Sequence, residues 1–220
     1  MPVGTAITNV IELQAMENDL AGSYYLANNI DASATSGWNG GLGFDPVGDF
    51  EGIFDGNGHT ITDLYINRPT TNLVGLFGST TDAEIKNVGL IDVNICGRED
   101  VGSLVGFNHS GTLDNSFATG AVDGFNPVGG LIGTNHSGVL TNVYSICAVS
   151  GSFSLGGLIG YNSGGTYNDC FWDTQTSGQA TSAGGTGKTT AQMKQEATFT
   201  NWDFSTIWAI VEGVSYPTLR

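Results

Sequence analysis

The sequence predicts an all-β protein, a parallel β-helix or β-solenoid with coils of about 27 residues and short helical caps at its N-terminal and C-terminal ends. Similar segments begin at Val74, Val101, Val128 and Leu155, each 27 residues after the one before. A fixed period of this length is the signature of a stacked repeat. Glycine fills 34 of the 220 positions, and the apolar runs are short and bounded by Gly, Asn and Ser. That pattern is typical of strands separated by turns.

Residues 1–48 are expected to form an N-terminal cap. Asn9 followed by Glu12 matches a capping box, and an apolar stripe with helical spacing follows it, made of Val10, Leu13 and Met16. The run at 23–26 then has the composition of a strand. A cap is needed because the open end of a solenoid leaves strand edges unpaired.

Residues 49–173 are expected to form the repeat coils. A coil of 27 residues has room for three short strands and three corners, and coils stack about 4.8 Å apart in such folds. Equivalent residues therefore form ladders along the axis. Two ladders of side-chain amides are predicted to hold the corners, one of Asn108, Asn135 and Asn162 and the other of Asn87, Asn115 and Asn142.

Residues 174–220 are expected to form a C-terminal cap. Thr189 or Thr190 can begin a short helix through residues 191–194, and residues 207–211 have the pattern of a closing strand. Three of the four tryptophans fall in the last fifty residues, where we expect their rings to plug the open core: Trp172, Trp202 and Trp208.

The chain is strongly acidic, with 21 acidic against 6 basic residues and a net charge of −15. Nucleic acid and anionic membranes are therefore poor partners. No apolar run approaches the roughly 20 residues of a membrane-spanning helix, so no membrane insertion is expected in this segment. No leader pattern stands at the start. This leaves two expectations open, a cytosolic chain or an excised piece of an exported protein.

The repeats resemble the GLUG-motif repeats of bacterial and archaeal surface proteins. The resemblance is carried by GLIGTNHSG at 130–138, NSFATG at 115–120, FDGNGHTI at 54–61 and the closing segment from 170 to 217. It implies a β-solenoid fold in an adhesin-like, exported protein, and similar repeats also occur beside the protease domain of immunoglobulin-cleaving metallopeptidases. The zinc-binding motif HExxH is absent from this sequence, so that activity does not carry over.

The residues argue against an enzyme. Between positions 101 and 165 the acidic residues are Asp114 and Asp123, in unrelated columns, and this span contains no lysine or arginine. Glycoside hydrolysis needs two carboxylates on one face, and a lyase acting on acidic sugars needs a base and a cationic clamp. The segment GGTGKTT at 184–190 lacks the first glycine of a phosphate-binding loop and is interpreted as a turn.

No cofactor is expected, although calcium stays possible. His109 and His136 share a column, but two ligands without a third make a poor metal site. The oxygen-rich turn at 55–58 and the pair Glu99-Asp100 are the candidate calcium positions. The cysteines at 96, 147 and 170 have neither disulfide nor zinc spacing, so buried free thiols are expected.

Candidate binding residues lie on the middle coils, whose faces offer mainly Asn, Ser, Thr and Gly. One platform for a sugar ring would be the column of Phe107, Thr134 and Tyr161, together with the turn histidines His109 and His136.

A second aromatic column consists of Phe117, Tyr144 and Phe171. Strand alternation counted from Leu113 places Phe117 on the core side. This column is therefore expected to pack inside the coils.

The sequence thus predicts a non-catalytic β-solenoid module of an exported cell-surface protein, located outside the cell or on its surface. Its predicted role is adhesion, self-association or that of a structural spacer. The alternative is a carbohydrate-binding module associated with a secreted enzyme. The expected partner is a second copy, another surface protein or an extracellular glycan.

Overall fold

A computed structural model describes residues 2–220 and shows a parallel β-solenoid, which confirms the predicted fold class. The N-terminal part contains, in chain order, β1 (Thr5–Ile7), α1 (Val10–Gln14), a 3-10 helix (Ala15–Asn18), β2 (Ser23–Leu26), β3 (Ile30–Asp31) and a kinked 3-10 segment (Ser33–Gly41).

Helix α1 begins at the predicted cap. The side-chain oxygen of Asn9 accepts hydrogen bonds from the backbone N–H groups of Ile11 (3.0 Å) and Glu12 (2.9 Å). The Glu12 carboxylate bonds to Thr8, one residue before the position that a capping box requires. The apolar side of the helix is buried in the main core, and α1 therefore covers the N-terminal end of the solenoid.

The central part consists of short strands alone. They are β4 (Ile53–Asp55), β5 (Thr60–Thr62), β6 (Tyr65–Asn67), β7 (Phe77–Thr81), β8 (Glu84–Lys86), β9 (Gly89–Cys96), β10 (Val105–His109), β11 (Thr112–Asp114), β12 (Phe117–Asp123), β13 (Val128–Gly129), β14 (Ile132–His136), β15 (Val139–Thr141), β16 (Tyr144–Ser145), β17 (Ala148–Ser150), β18 (Leu155–Gly156), β19 (Ile159–Ser163), β20 (Thr166–Asn168) and β21 (Phe171–Asp173).

The C-terminal part is less regular. It contains β22 (Thr186–Lys188), two 3-10 helices (Gln192–Lys194 and Glu196–Thr198), β23 (Trp208–Ala209) and β24 (Thr218–Leu219).

Three parallel sheets form the sides of the solenoid. Sheet 1 has the order β1-β2-β4-β8-β11-β15-β20, and sheet 2 has the order β7-β10-β14-β19. Sheet 3 follows the path β3-β5-β9-β12-β16-β21-β22, with β6 and β17 paired beside it. Two further pairs are β13 with β18, which is parallel, and β23 with β24, which is antiparallel. Each coil thus visits sheets 2, 1 and 3 in turn.

The register keeps a 27-residue period, although individual sides of neighbouring coils differ in length by one residue. Val74 pairs with Val101, and Val101 with Val128, at intervals of 27. Ser103 is an extra residue relative to the preceding coil, so that Val105 pairs with Phe77. A β-bulge in β9, opposite residues 118–120, restores the period, and Thr119 Oγ1 accepts the extra backbone N–H at Asp92 (2.8 Å).

The core runs the length of the solenoid and contains one continuous polar ladder. Thr80 donates to Asn108 (2.7 Å), Asn108 to Asn135 (2.9 Å), and Asn135 to Asn162 (3.0 Å). Each of the three amide N–H₂ groups also donates to the backbone carbonyl three residues later. Thr80, Asn108 and Asn135 are fully buried. The ladder therefore joins four coils and fixes the corner between sheets 2 and 1.

The second amide column has a different role. Asn87, Asn115 and Asn142 all have positive φ, at 54°, 44° and 53°. This conformation suits asparagine better than most residues. One amide bond joins neighbours in the column, from Asn142 to Asn115 at 3.4 Å, while Asn87 donates to Asp55 at 3.0 Å. These asparagines thus turn the chain at the corner between sheets 1 and 3.

That corner resets the strand alternation, so Phe117 does not lie on the side of Leu113, although its ring is buried as expected. Ala118 faces the main core, and the rings of Phe117, Tyr144 and Phe171 point away from it. They are nevertheless buried, because residues 189–220 lie across them. We call residues 189–220 the strap.

The strap packs against the side of sheet 3 instead of plugging the open end. Trp208 is fully buried, 6.2 Å from Phe117 and 6.1 Å from Tyr144 between ring centroids. Trp202 donates to the backbone carbonyl of Asp169 (2.9 Å). Of the three expected plug residues, Trp172 alone lies in the main core. The end of the core is covered by residues 174–188, which form a shortened last coil ending in β22.

We expect Asn135→Ala to destabilise the fold, because one N–H of Asn108 Nδ2 loses its acceptor while the other keeps the Gly111 carbonyl, and Asn162 Oδ1 loses its donor. Each buried unsatisfied group costs about 1–3 kcal/mol. Urea unfolding measures the loss, and Asn168→Ala on the exposed strand β20 is the control. Equal midpoints for the two variants would contradict a structural role of the ladder.

We expect a chain truncated after Lys188 to keep its coils and to associate, because the rings of Phe117, Tyr144 and Phe171 become exposed. Light scattering over a concentration series measures the association. The same truncation with the three rings changed to serine is the control and should stay monomeric. A truncated chain that is monomeric with its rings intact would show that the strap protects no apolar surface.

Candidate functional site

A column of glycines on the outer face of sheet 2 leaves room for the corner loops to pack directly against the sheet. A Cβ at Gly133 would lie 2.5 Å from the backbone N of Val101, and one at Gly160 would lie 2.7 Å from that of Val128. No side chain fits at such distances. The loops that end at Asp100 and Pro127 therefore lie directly on the sheet and form a wall beside its aromatic residues.

Between this wall and sheet 2 lies a cleft of about 400 Å³. Strands β10, β14 and β19 supply one side of it, and the corner loops supply the other. The lining residues are Asp100, Phe107, Asn126, Pro127, Thr134, His136, Ser154, Tyr161 and Ser163. We refer to this site as the sheet 2 cleft.

The structure brings together four of the five binding residues chosen from the sequence. Phe107, Thr134, Tyr161 and His136 line the sheet 2 cleft. Tyr161 is 53% exposed and Thr134 only 5%. The ring of Phe107 stacks on that of His136, with centroids 6.4 Å apart and planes 20° apart. His109 lies outside the lining, 5.2 Å from the ring of His136.

Asp100 is the acidic residue of the cleft. Its backbone has positive φ (53°), and its Oδ1 accepts a hydrogen bond from Thr134 Oγ1 at 2.5 Å. Burial raises the pKa of the Asp100 carboxyl, and the nearby charge of Glu99 raises it further, whereas the Thr134 bond lowers it. The guanidinium of Arg98 pairs with Glu99 at 3.3 Å. The half-buried carboxylate of Asp100 is thus held without a cation.

Among the loop residues of the cleft, Asn126, Pro127 and Ser154 were missed from the sequence, and Asp100 was considered only as a calcium ligand beside Glu99. Asp100, Pro127 and Ser154 each precede the first residue of a repeat, so they form a column of their own at intervals of 27. That spacing was the signal that could have found them. Nothing in the sequence shows that the loops fold back over the glycine column.

Two exposed rings stand on the same loops. Phe125 and Phe153 are 47% and 60% exposed and meet edge to face, with centroids 5.5 Å apart. Each precedes a cleft residue in the chain, Asn126 and Ser154. They extend the aromatic surface at this side of the solenoid.

The candidate calcium positions have other partners. Asp55 Oδ1 accepts from the backbone N–H of Asn57 at 2.8 Å, and both Asn57 and Gly58 have positive φ, which is the geometry of a tight turn. Glu99 accepts from Asn72 at 3.0 Å and pairs with Arg98, whereas Asp100 accepts from Thr134. Among residues 2–220, no group of three or more His, Cys, Asp or Glu side chains is placed to hold a metal ion.

The three cysteines are free thiols. Cys147 and Cys170 are buried, and burial raises the pKa of each to about 12. Cys96 is half-buried, and burial also raises its pKa. None of the three lines the sheet 2 cleft.

The fold and the cleft define a β-solenoid repeat module with one aromatic, polar cleft on its side. Residues 8–120 match the sequence profile of the M26 IgA1-specific metallo-endopeptidase N-terminal region. The match spans 113 of the 220 residues, counted from 8 to 120. The chain belongs to this family.

Two relatives share about half of the chain. Halomucin from Haloquadratum walsbyi is 40% identical in an alignment of 129 positions that covers 54% of this chain and 1% of that protein. The immunoglobulin A1 protease of Streptococcus sanguinis is 31% identical in an alignment of 124 positions that covers 54% of this chain and 6% of the protease. The chain therefore spans only a small part of the length of these relatives.

A solved structure has the same fold. The crystal structure of a protein described as an immunoglobulin A1 protease from Bacteroides ovatus superposes with a TM-score of 0.54 at 16% identity. The superposition covers 99% of this chain and 94% of that one. At this identity the likeness concerns the fold alone. Within residues 2–220, no helix is both long and apolar enough to cross a membrane.

We expect Asp100→Asn to raise the melting temperature at neutral pH. A carboxyl whose pKa is raised in the folded state holds its proton more tightly there, so its contribution to stability is full below the ordinary pKa and is lost as the pH rises through the raised one. The gain should therefore shrink toward zero as the pH falls below the ordinary aspartate value.

Asp203→Asn is the control with the opposite sign. Bonds donated by Thr206 and Ser205 lower the pKa of the Asp203 carboxyl, so this substitution should lower the melting temperature at neutral pH. Thermal melts of both variants at several pH values test the pair. A lower melting temperature for Asp100→Asn at neutral pH would mean that its carboxylate stabilises the fold.

Proposed function

We propose that the chain is a non-catalytic β-solenoid module of an exported protein, located at the cell surface or outside the cell, and that it adheres to an extracellular glycan through the sheet 2 cleft. The observation that carries the proposal is the pairing of accessible rings with hydroxyl groups. Phe107 and Tyr161 flank Thr134 on adjacent strands of one face. Aromatic rings stack on the apolar C–H faces of sugars, while hydroxyl and amide groups fix the orientation of the ligand.

The chemistry of the lining supports binding over turnover. Asp100 and His136 are its acidic and imidazole groups, and the lining contains no second carboxylate. Glycoside hydrolysis uses a pair of carboxyl groups about 5–10 Å apart. A single carboxylate that bonds to Thr134 supplies neither a nucleophile and acid pair nor an acid and base pair.

The location outside the cell is supported by the family and its relatives. The family is the N-terminal region of peptidases named for immunoglobulin A1, and antibodies are extracellular substrates. The net charge of −15 favours neither nucleic acid nor an anionic membrane surface as a partner. The assignment of the 27-residue units to the GLUG repeats remains a prediction from their motifs.

Self-association is a second candidate, favoured by one observation at the C-terminal end. Strand β20 is the last strand of sheet 1, and all three of its residues are exposed. Tyr167, which stands in the inward column of Leu113 and Leu140, is 42% exposed there. An unpaired edge with an exposed ring can pair with a second copy or with another surface protein.

We expect Tyr161→Ala to weaken glycan binding at least tenfold while leaving the fold intact, because it removes an accessible ring from the cleft. An array of neutral and acidic polysaccharides, followed by calorimetry on the best ligand, measures the effect. Tyr25→Ala on strand β2 is the matched control, since it removes a half-buried tyrosine ring from the outer face of sheet 1.

Saturable binding that both variants lose equally would place the ligand site elsewhere. A chain that binds no polysaccharide and forms concentration-dependent oligomers would favour self-association through β20. A variant with lysine at position 167, Tyr167→Lys, should then remain monomeric.

A further inference from the structure

The proposed glycan site contains two hydrogen-bond acceptors that lack donors. Asp100 Oδ1 is bonded to Thr134 Oγ1 at 2.5 Å, while no donor among residues 2–220 reaches Oδ2. Asn126 also lines the cleft, and its Oδ1 is buried without a hydrogen-bond partner. Buried polar atoms are nearly always paired in folded proteins. The buried Asn126 oxygen therefore calls for a donor, and the partly exposed carboxylate of Asp100 offers a second acceptor in the same cleft.

The charged side chain of Asp100 lowers the stability of the fold. Its carboxylate is half-buried, Glu99 is its neighbour, and Arg98 turns its guanidinium to Glu99. The equivalent positions in adjacent coils are occupied by Leu73, Pro127 and Ser154, none of which is charged. The corner therefore folds without a carboxylate. A charged group that the fold does not need, in a cleft, is a candidate for ligand binding.

The kind of donor follows from the charges around the cleft. The lining offers no lysine or arginine to meet a carboxylate or sulfate. The carboxylate of Asp100 repels anions, and the net charge of −15 adds to this repulsion. Hydroxyl groups are donors without charge, and an ionised carboxylate accepts two of them at once through its two oxygens.

We propose, resting on the glycan-binding function above, that Asp100 accepts a hydrogen bond from a hydroxyl group of a neutral sugar whose ring stacks on Tyr161, and that the Asn126 amide turns toward the cleft to accept one from the adjacent hydroxyl. The cleft accordingly selects neutral sugars with free vicinal hydroxyls and excludes uronic and sulfated ones. Thr134 positions Asp100 through its hydrogen bond to Oδ1. Asp100 and Asn126 are then binding residues, and Thr134 is a positioning residue.

The test uses the full chain and four probes: galactan and mannan as neutral polysaccharides, and polygalacturonate and alginate as acidic ones. We expect binding to at least one neutral probe and to neither acidic probe. The neutral probe that binds is then oxidised with periodate before it is mixed with the protein. This destroys its vicinal hydroxyl pairs and should abolish binding. Tighter binding of an acidic probe, or undiminished binding after periodate, would overturn the proposal.

Two variants separate this inference from the proposed function. Asp100→Asn keeps the shape and the bond to Thr134, and we expect it to weaken binding at least tenfold while its melting temperature stays equal or rises. Tyr161→Ala should weaken binding as well. If Asp100→Asn binds normally and Tyr161→Ala does not, the role of Asp100 is overturned and the glycan site stands. If the unmodified chain binds an acidic probe and no neutral one, the role of Asp100 and Asn126 in selecting neutral sugars is overturned and the glycan site stands. If it binds no polysaccharide, both proposals are overturned.

Discussion

Every coil of this protein must place its backbone N–H and C=O groups opposite those of the coils above and below. This constraint fixes the period, since a side that gained a residue without compensation would turn its side chains to the wrong face. It also puts equivalent residues one above another. The buried bonds from Thr80 through Asn108 and Asn135 to Asn162 exist because the backbone ladders hold these side chains at hydrogen-bonding distance. The aromatic cleft on the outer face of sheet 2 exists for the same reason.

The sequence was sufficient for features that repeat and insufficient for those that do not. The 27-residue spacing predicted the solenoid and the sharing of a column by Phe107, Thr134 and Tyr161. The error at Phe117 came from counting alternation through a corner, where Asn115 takes positive φ and changes which side the next strand presents to the core. The strap has no period. Its tryptophans were recognised as apolar covers, but their burial against sheet 3 depends on a path that one sequence does not reveal.

The cleft shows the same division between repeating and local features. The residues on its sheet side could be predicted from the 27-residue spacing. Its loop side depends on the close approach of the loop backbone to Gly133 and Gly160, which the spacing does not show. A column of glycines indicates that another group packs closely against the strand, but it does not identify that group as the backbone of the corner loops. Asp100 was noticed for its oxygen atoms, as a candidate calcium ligand beside Glu99. In the structure the two carboxylates have different partners. Glu99 forms an ion pair with Arg98, and Asp100 accepts a hydrogen bond from Thr134.

The extra residue at Ser103 and the bulge at Asp92 have a consequence for how such chains change over time. Together they show that a turn of the solenoid tolerates a change in the length of one side when another side absorbs it, because the neighbouring turns sense only the total. The hydroxyl of Ser103 has even been incorporated into the core, where it bonds to the carbonyl of Gly130 at 2.6 Å. The cross-section can therefore drift in shape from turn to turn while the array stays in phase. In a solenoid of this kind, one face can therefore change its length and side chains to fit a new ligand while the register of the other faces stays the same.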